Sequence, residues 1–203
     1  MEDYMGKIDL NKKKKREALL NTAFELFTTQ GIAQTTINNI VEAAGVAKGT
    51  FYLYFKDKYD IRNKLISHKA KRVFSIAYEA LSETALTDFE DRLIFLVDNI
   101  IEQFNADKSL LNFISKNLSW GIFKNELISS DDNYDLDFND VYAIFENSTK
   151  RFKNPEILLF MIVEFVSATC YSSILYHEPT DIATLKPHLF NAIRQLIKSQ
   201  ELN

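Results

Sequence analysis

The chain has 203 residues, with 24 Lys plus Arg against 28 Asp plus Glu, a formal net charge of -4 and 46% hydrophobic content. That length allows a real core without disulfides or structural metals, and the one cysteine, Cys170, excludes an intrachain disulfide framework. Five Gly and three Pro argue against turn-rich sandwiches, barrels and doubly wound nucleotide folds, so an all-α protein is expected. The first ten residues carry Glu2 and Asp3 and lack an apolar core of signal-peptide length, which points to a cytoplasmic product. The charge is divided along the chain: residues 1–72 hold 14 basic and 8 acidic residues, residues 73–203 hold 10 and 20. A basic front joined to an acidic remainder suggests that only the front meets a polyanion, and uneven scatter explains the same pattern until motifs decide.

The basic run Lys12 to Arg16 leads into Leu19, Leu20, Ala23, Phe24, Leu26 and Phe27, one apolar helical face that Gly31 closes. The run itself reads either as an arm on a nucleic-acid backbone or minor groove, or as a solvated terminus. A second helix starts after Thr35-Thr36, with Thr36 as N-cap and Ile37, Ile40, Val41 and Ala44 on one side, and stops at Gly45. A short third helix follows within Ala47 to Phe55, giving helix, tight turn, helix. Asp57 caps a fourth helix running through Ile61, Leu65, Ala70, Val73 and Phe74 towards Leu81. Thr87-Asp88 opens a fifth, and Asp107 to Leu118 is a shorter one. Ser129 to Asp140, dense in Asp and Asn, reads as an exposed loop.

Asn154-Pro155 introduces an almost wholly apolar helix from Ile157 to Tyr176. Its 20 residues would just span a bilayer, but Glu164 near its centre, weak flanking charge and the lack of a second such segment argue for no membrane. An apolar helix in a soluble chain of this size packs on its core with one face and on a partner subunit with another. A last helix from Pro187 carries Leu189, Phe190, Ile193, Leu196 and Ile197, and the two together form half of a four-helix dimer interface.

The segment TTINNIVEAAGVAKGTFYLYFKDK, Thr35 to Lys58, resembles the Tet-repressor (TetR/AcrR) family of transcriptional regulators. The likeness rests on the Thr pair opening a helix, Ala44-Gly45-Val46 at the turn, Lys48-Gly49-Thr50, the aromatic run Phe51 to Phe55, and Lys58. It covers roughly residues 16–65 strongly. The resemblance implies an N-terminal three-helix helix-turn-helix domain, placed at 1–57, and a larger ligand-binding and dimerisation domain at 58–203, with about nine helices in all.

In a helix-turn-helix the second helix lies in the major groove and the first braces it across the phosphates. Lys48 suits guanine O6 or N7, or a phosphate; Thr50 can donate to a phosphate; Tyr52 and Tyr54 offer rings with a hydroxyl tip for a thymine methyl or a phosphate. Gly49 lets the backbone approach DNA and leaves helix N-terminal amides for phosphate, while Phe51 and Phe55 point inward. By resemblance, Thr36 and Asn38 on the bracing helix and Lys58 on the fourth contact phosphate, with Asn38 equally readable as an exposed surface residue. Ala47 stands where the family often has a polar residue, so a cap is missing there.

The resemblance further implies a homodimer on a palindromic double-stranded operator, most simply a repressor released by a small-molecule effector. Candidates for the effector pocket are Phe113, Trp120, Tyr142, Phe145, Glu164, Cys170 and Tyr171, each also readable as core. Glu164 has three readings: a ligand group, a hydrogen bond across a dimer, or a rim residue facing water. His68, His177 and His188 are far apart, Cys170 has no neighbouring base, and no glycine-rich phosphate loop is present, so no enzyme, cofactor or metal is expected. The alternative is a helical dimeric adaptor without operator binding, which leaves the Lys48-Gly49-Thr50 turn without a purpose.

Overall fold

A computed structural model describes residues 2–117, 120, 144, 145 and 148–202, and within them the chain forms eight helices and no strand. The expected loop at 129–140 and the pocket candidate Tyr142 lie outside the described residues. Contacts divide the chain into two units, residues 1–66 and 67–203.

The first unit is built on α1 (Glu2–Thr29), α2 (Ile37–Ala43) and α3 (Lys48–Tyr54), with the opening turns of α4 (Lys58–Ser82). α1 buries Leu19, Leu20, Ala23 and Phe27, as the spacing requires, and packs on α2 and α3, while Ile40, Val41, Phe51, Phe55, Ile61 and Leu65 are buried in the same unit. Gly31 at φ 85° ends α1 and Gly45 at φ 66° makes the sharp turn between α2 and α3, positions an L side chain would strain. Asp57 begins α4, its Oδ1 accepting from the Tyr59 and Asp60 amides at 2.7 and 2.9 Å. Lys12 to Arg16 lie within α1, since this Lys-rich stretch of helix-compatible residues contains no proline to break it.

The second unit packs the end of α4, α5 (Phe89–Ala106), α6 (Lys108–Asn117), α7 (Pro155–Tyr176) and α8 (Ile182–Gln200) around one core. Capping fixes the helix starts, with Asp88, Asp107 and Asn154 accepting from the amides of Asp91, Leu110 and Ile157. α8 starts at Ile182 rather than at Pro187. Asp181 Oδ1 accepts the Thr184 amide at 3.0 Å and its Oδ2 accepts the Thr184 hydroxyl at 3.0 Å, and this cap sets the start while Pro187 is carried inside the helix. These bonds, the backbone one foremost, hold the Asp181 carboxyl below its ordinary range.

α7 is not buried on every side. It turns Leu158, Leu159, Ile162, Cys170 and Ile174 into the core and leaves Ile157, Phe160, Phe165 and Tyr176 exposed in the single chain. At one end of this unit Phe89, Phe145 and Phe152 form a ring cluster with centroids 4.8 to 5.7 Å apart. Beside it Glu90, only 8% exposed, meets Lys150 at 2.7 Å and Arg194 at 3.4 Å, while Arg194 reaches Asp91 at 2.8 Å and Lys150 reaches Glu201 at 3.4 Å. The pairing with Glu90 raises the pKa of Lys150. This network clamps α5, the segment before α7 and the end of α8.

Candidate nucleic-acid interface and ligand cavity

α2 begins on a reciprocal cap. Thr36 Oγ1 accepts the Asn39 amide at 3.1 Å and donates to Asn39 Oδ1 at 2.6 Å, and the Thr36 amide donates to the same oxygen at 2.9 Å. Asn39 thus fills the place that Glu or Gln takes in a capping box. Both donors of Thr36 are directed into the cap, at an exposed position. Asn38, one position along, is exposed. Thr35 is fully buried and donates to the Gly31 carbonyl at 2.8 Å, tying α2 to the end of α1.

α3 has seven residues and an uncapped start, since Ala47 supplies no side-chain hydrogen bond. Its helical turn of about 100° per residue separates two faces. Phe51 and Phe55, 0% and 1% exposed with rings 5.5 Å apart, anchor it as expected. Tyr52 and Leu53 face out at 52% and 78%, alongside exposed Lys48 and Gly49, with Thr50 half-buried. A Cβ at Gly49 would meet nothing within 4 Å, so no packing inside the protein calls for glycine there. Leu53 carries no helix-turn-helix signature of its own in the sequence. With Phe51 and Phe55 inward, position 53 has to point outward, and an apolar side chain there suits a thymine methyl.

Two candidates bond within the unit. The Tyr54 hydroxyl donates to the Lys12 carbonyl at 3.2 Å, an exposed bond that ties α1 to the end of α3. Lys58 donates from Nζ to the carbonyls of Ile32 and Ala33 at 2.8 and 3.3 Å, bracing the α1–α2 turn. Neither bond is visible in spacing alone, because the partners lie 42 and 26 residues away. Lys64 supports the other end of α3, donating to the Tyr54 carbonyl at 3.3 Å with its ammonium 5.7 Å from the Phe55 ring.

The second unit holds a cavity of about 110 Å³. Phe74 and Tyr78 of α4, Ile100 and Phe104 of α5, Ile114 of α6 and Val163 of α7 represent its walls. Of the sequence candidates, Phe145 and Cys170 line it. Phe113 is buried outside the lining, Trp120 packs edge-on against Phe160 at 5.3 Å, and Tyr171 donates to Asn112 Oδ1 at 3.1 Å. Glu164 is exposed on the face of α7 away from the core, which removes it from the cavity and places it at a surface. In sequence, polar or aromatic residues on apolar helices are what mark a pocket. The lining instead takes ordinary apolar faces of α4 and α5, which look like core in sequence.

Burial pushes the Cys170 thiol up to about 11, from 9.0. A raised folded pKa means stability is complete below pH 9.0 and is lost as pH rises through about 11, because the unfolded thiol ionises first. The unfolding free energy of the second unit should fall by about 2 kcal/mol across that window. Urea titrations at stepped pH should show the fall, with a smaller slope in Cys170→Ala; Lys150, also raised, adds its loss only above pH 10.5.

Comparison with known proteins agrees with this layout. Residues 19–65 match the family described as bacterial regulatory proteins, tetR family. The HTH-type transcriptional regulator YdgC of Bacillus subtilis (strain 168) is 31% identical over 97 residues, 47% of this chain and 50% of its own length. The regulator AcrR of Shigella flexneri is 40% identical over 50 residues, 25% of this chain and 23% of its own. The chain therefore aligns with half or less of the length of these curated relatives. Among solved structures, a tetR family transcription regulator from Shewanella sp. PV-4 superposes with a TM-score of 0.68 at 16% identity, covering 93% of this chain and 99% of its own. The regulator FadR of Bacillus subtilis in complex with stearoyl-CoA superposes at 0.57 with 19% identity, covering 89% and 97%. At these identities the structural likeness is one of fold.

Proposed function

We propose, from the match of residues 19–65 to the tetR family of bacterial regulatory proteins, that the chain is a DNA-binding transcriptional repressor released from its operator by a small molecule. The observation that carries the proposal is the outward face of α3, where Lys48, Gly49 and Tyr52 stand exposed on a helix anchored by buried Phe51 and Phe55. Lys48, Thr50, Tyr52 and Asn38 are the DNA-facing set, with Gly49 admitting close approach of the backbone and Leu53 added to it. Thr36, Tyr54 and Lys58 hold that set in place. The first domain is residues 1–57 and the second 58–203. The working form is a cytoplasmic homodimer joined through α7 and α8, for which the exposed Ile157, Phe160, Phe165 and Tyr176 supply apolar surface. A two-fold dimer reads a palindromic operator with half-sites about 34–36 Å apart.

The effector site is the cavity of the second unit. α4 contributes Ala70, Val73, Phe74 and Tyr78 to its wall and begins in the first unit, so it is the element through which occupancy changes operator affinity. The stearoyl-CoA complex of a structural neighbour supports the reading that a chain of this fold takes a ligand. The test is an electrophoretic shift with the DNA flanking the chain's own gene. Wild type should retard a discrete fragment, and Lys48→Ala and Tyr52→Ala should each weaken it by about 1–3 kcal/mol while leaving folding intact. Retardation that both substitutions leave unchanged would refute the assignment.

A further inference from the structure

The cavity that the proposed function treats as the effector site carries information about the chemistry of its occupant. Among the described residues no Asp, Glu, Lys, Arg or His lines it, and the polar groups in its wall are Tyr78, Ser115, Ser167 and the thiol of Cys170. Ser115 donates its hydroxyl to the Leu111 carbonyl at 2.5 Å, a bond within its own helix. The thiol is un-ionised at neutral pH, and burial pushes it further up, from 9.0 to about 11. A carboxylate or an ammonium brought into such a wall would lose its hydration and find no opposite charge, a cost that defeats binding. A hydrocarbon surface exchanges water for close apolar contact on every side.

Size narrows the class. The cavity measures about 110 Å³, and apolar holes of about 150 Å³ stay dry and take up benzene. We propose, resting on the reading of this cavity as the effector site, that it admits an uncharged hydrocarbon group the size of a single aromatic ring or a short alkyl segment. Any charged or hydrogen-bonding part of the effector stays outside the apolar wall.

Three probes of nearly equal size test this on the full chain: toluene, benzoate and benzylammonium, each titrated at neutral pH by calorimetry and by the rise in thermal midpoint. Each is small enough that its charge must enter with the ring. Toluene should bind and raise the midpoint, and the two ions should bind at least about tenfold more weakly, which is 1.4 kcal/mol. Filling the cavity with Ser167→Leu, or independently from α5 with Ile100→Phe, should abolish the toluene response without lowering the ligand-free midpoint of at least one of the two variants. Failure of toluene to bind, equal binding of either ion, or a toluene response that survives both fillings would overturn the proposal. Operator affinity measured with and without toluene is a separate readout. Toluene bound in the cavity with no effect on the DNA complex would remove the effector role while the ligand class stood.

Discussion

Phe51→Ala should lower the stability of the N-terminal unit by about 4 kcal/mol and abolish DNA binding as a consequence of unfolding. Phe51 has no exposed surface and packs its ring 5.5 Å from both Phe55 and Tyr52. In a short helix of seven residues it is the main anchor, and such a helix has little stability of its own. Its neighbour Tyr52 gives the complementary result. Half of its surface is exposed, so Tyr52→Ala should change stability by within about 0.5 kcal/mol and still weaken DNA binding. Urea unfolding followed by circular dichroism, beside a DNA-binding measurement on each variant, separates the two. Equal stability of Phe51→Ala and wild type would mean that α3 is not held as described.

The second large effect belongs to Glu90. Its carboxylate is nearly buried between Lys150 and Arg194, and Glu90→Ala should destabilise the second unit by about 3 kcal/mol. That is the lower end of what a broken buried pair costs, because Lys150 retains Glu201, Arg194 retains Asp91, and both cations are partly in water. For a chain of this size the thermal midpoint should drop by about 6–12 °C. The double variant Glu90→Ala with Lys150→Met should lose less than the sum of the two single changes, since the two groups interact directly. Strict additivity in differential scanning calorimetry would show that the contact contributes nothing.

Much of the first unit was legible before any coordinates. Leu19, Leu20, Ala23 and Phe27 fall at helical spacing and are buried, Gly31 and Gly45 take the positive φ that their places at helix ends suggested, and Phe51 with Phe55 face inward. These features are local: each depends on residues within about one or two helical turns, which is what sequence periodicity reports. What escaped was set at long range or by competition between local signals. Lys58 and Tyr54 carry donors that suit phosphate, and only tertiary packing shows them bonded to the carbonyls of Ile32, Ala33 and Lys12. Asn39 has the three-residue offset from Thr36 of a capping box, but with Asn in place of the usual Glu or Gln the sequence does not single it out. At α8 the Asp181–Thr184 cap outweighs the breaking tendency of Pro187. The cavity wall was hidden because a residue lining an apolar hole and one filling a core have the same sequence signature. Glu164, conspicuous by its charge on an apolar helix, is at the surface.

DNA binding by the exposed face of α3, through phosphate and base contacts, is what the proposed function requires. Equilibrium affinity for the fragment selected by wild type, measured across a series of salt concentrations, tests it most directly. The plot of log affinity against log salt should be linear with a steep negative slope, and the slope for Lys48→Ala should be smaller in magnitude by about one unit if Lys48 meets a phosphate. If it meets a guanine instead, the slope changes less and discrimination between fragments falls by about 1–3 kcal/mol. An affinity independent of salt, or a Lys48→Ala variant equal to wild type in affinity, slope and discrimination, would contradict the account.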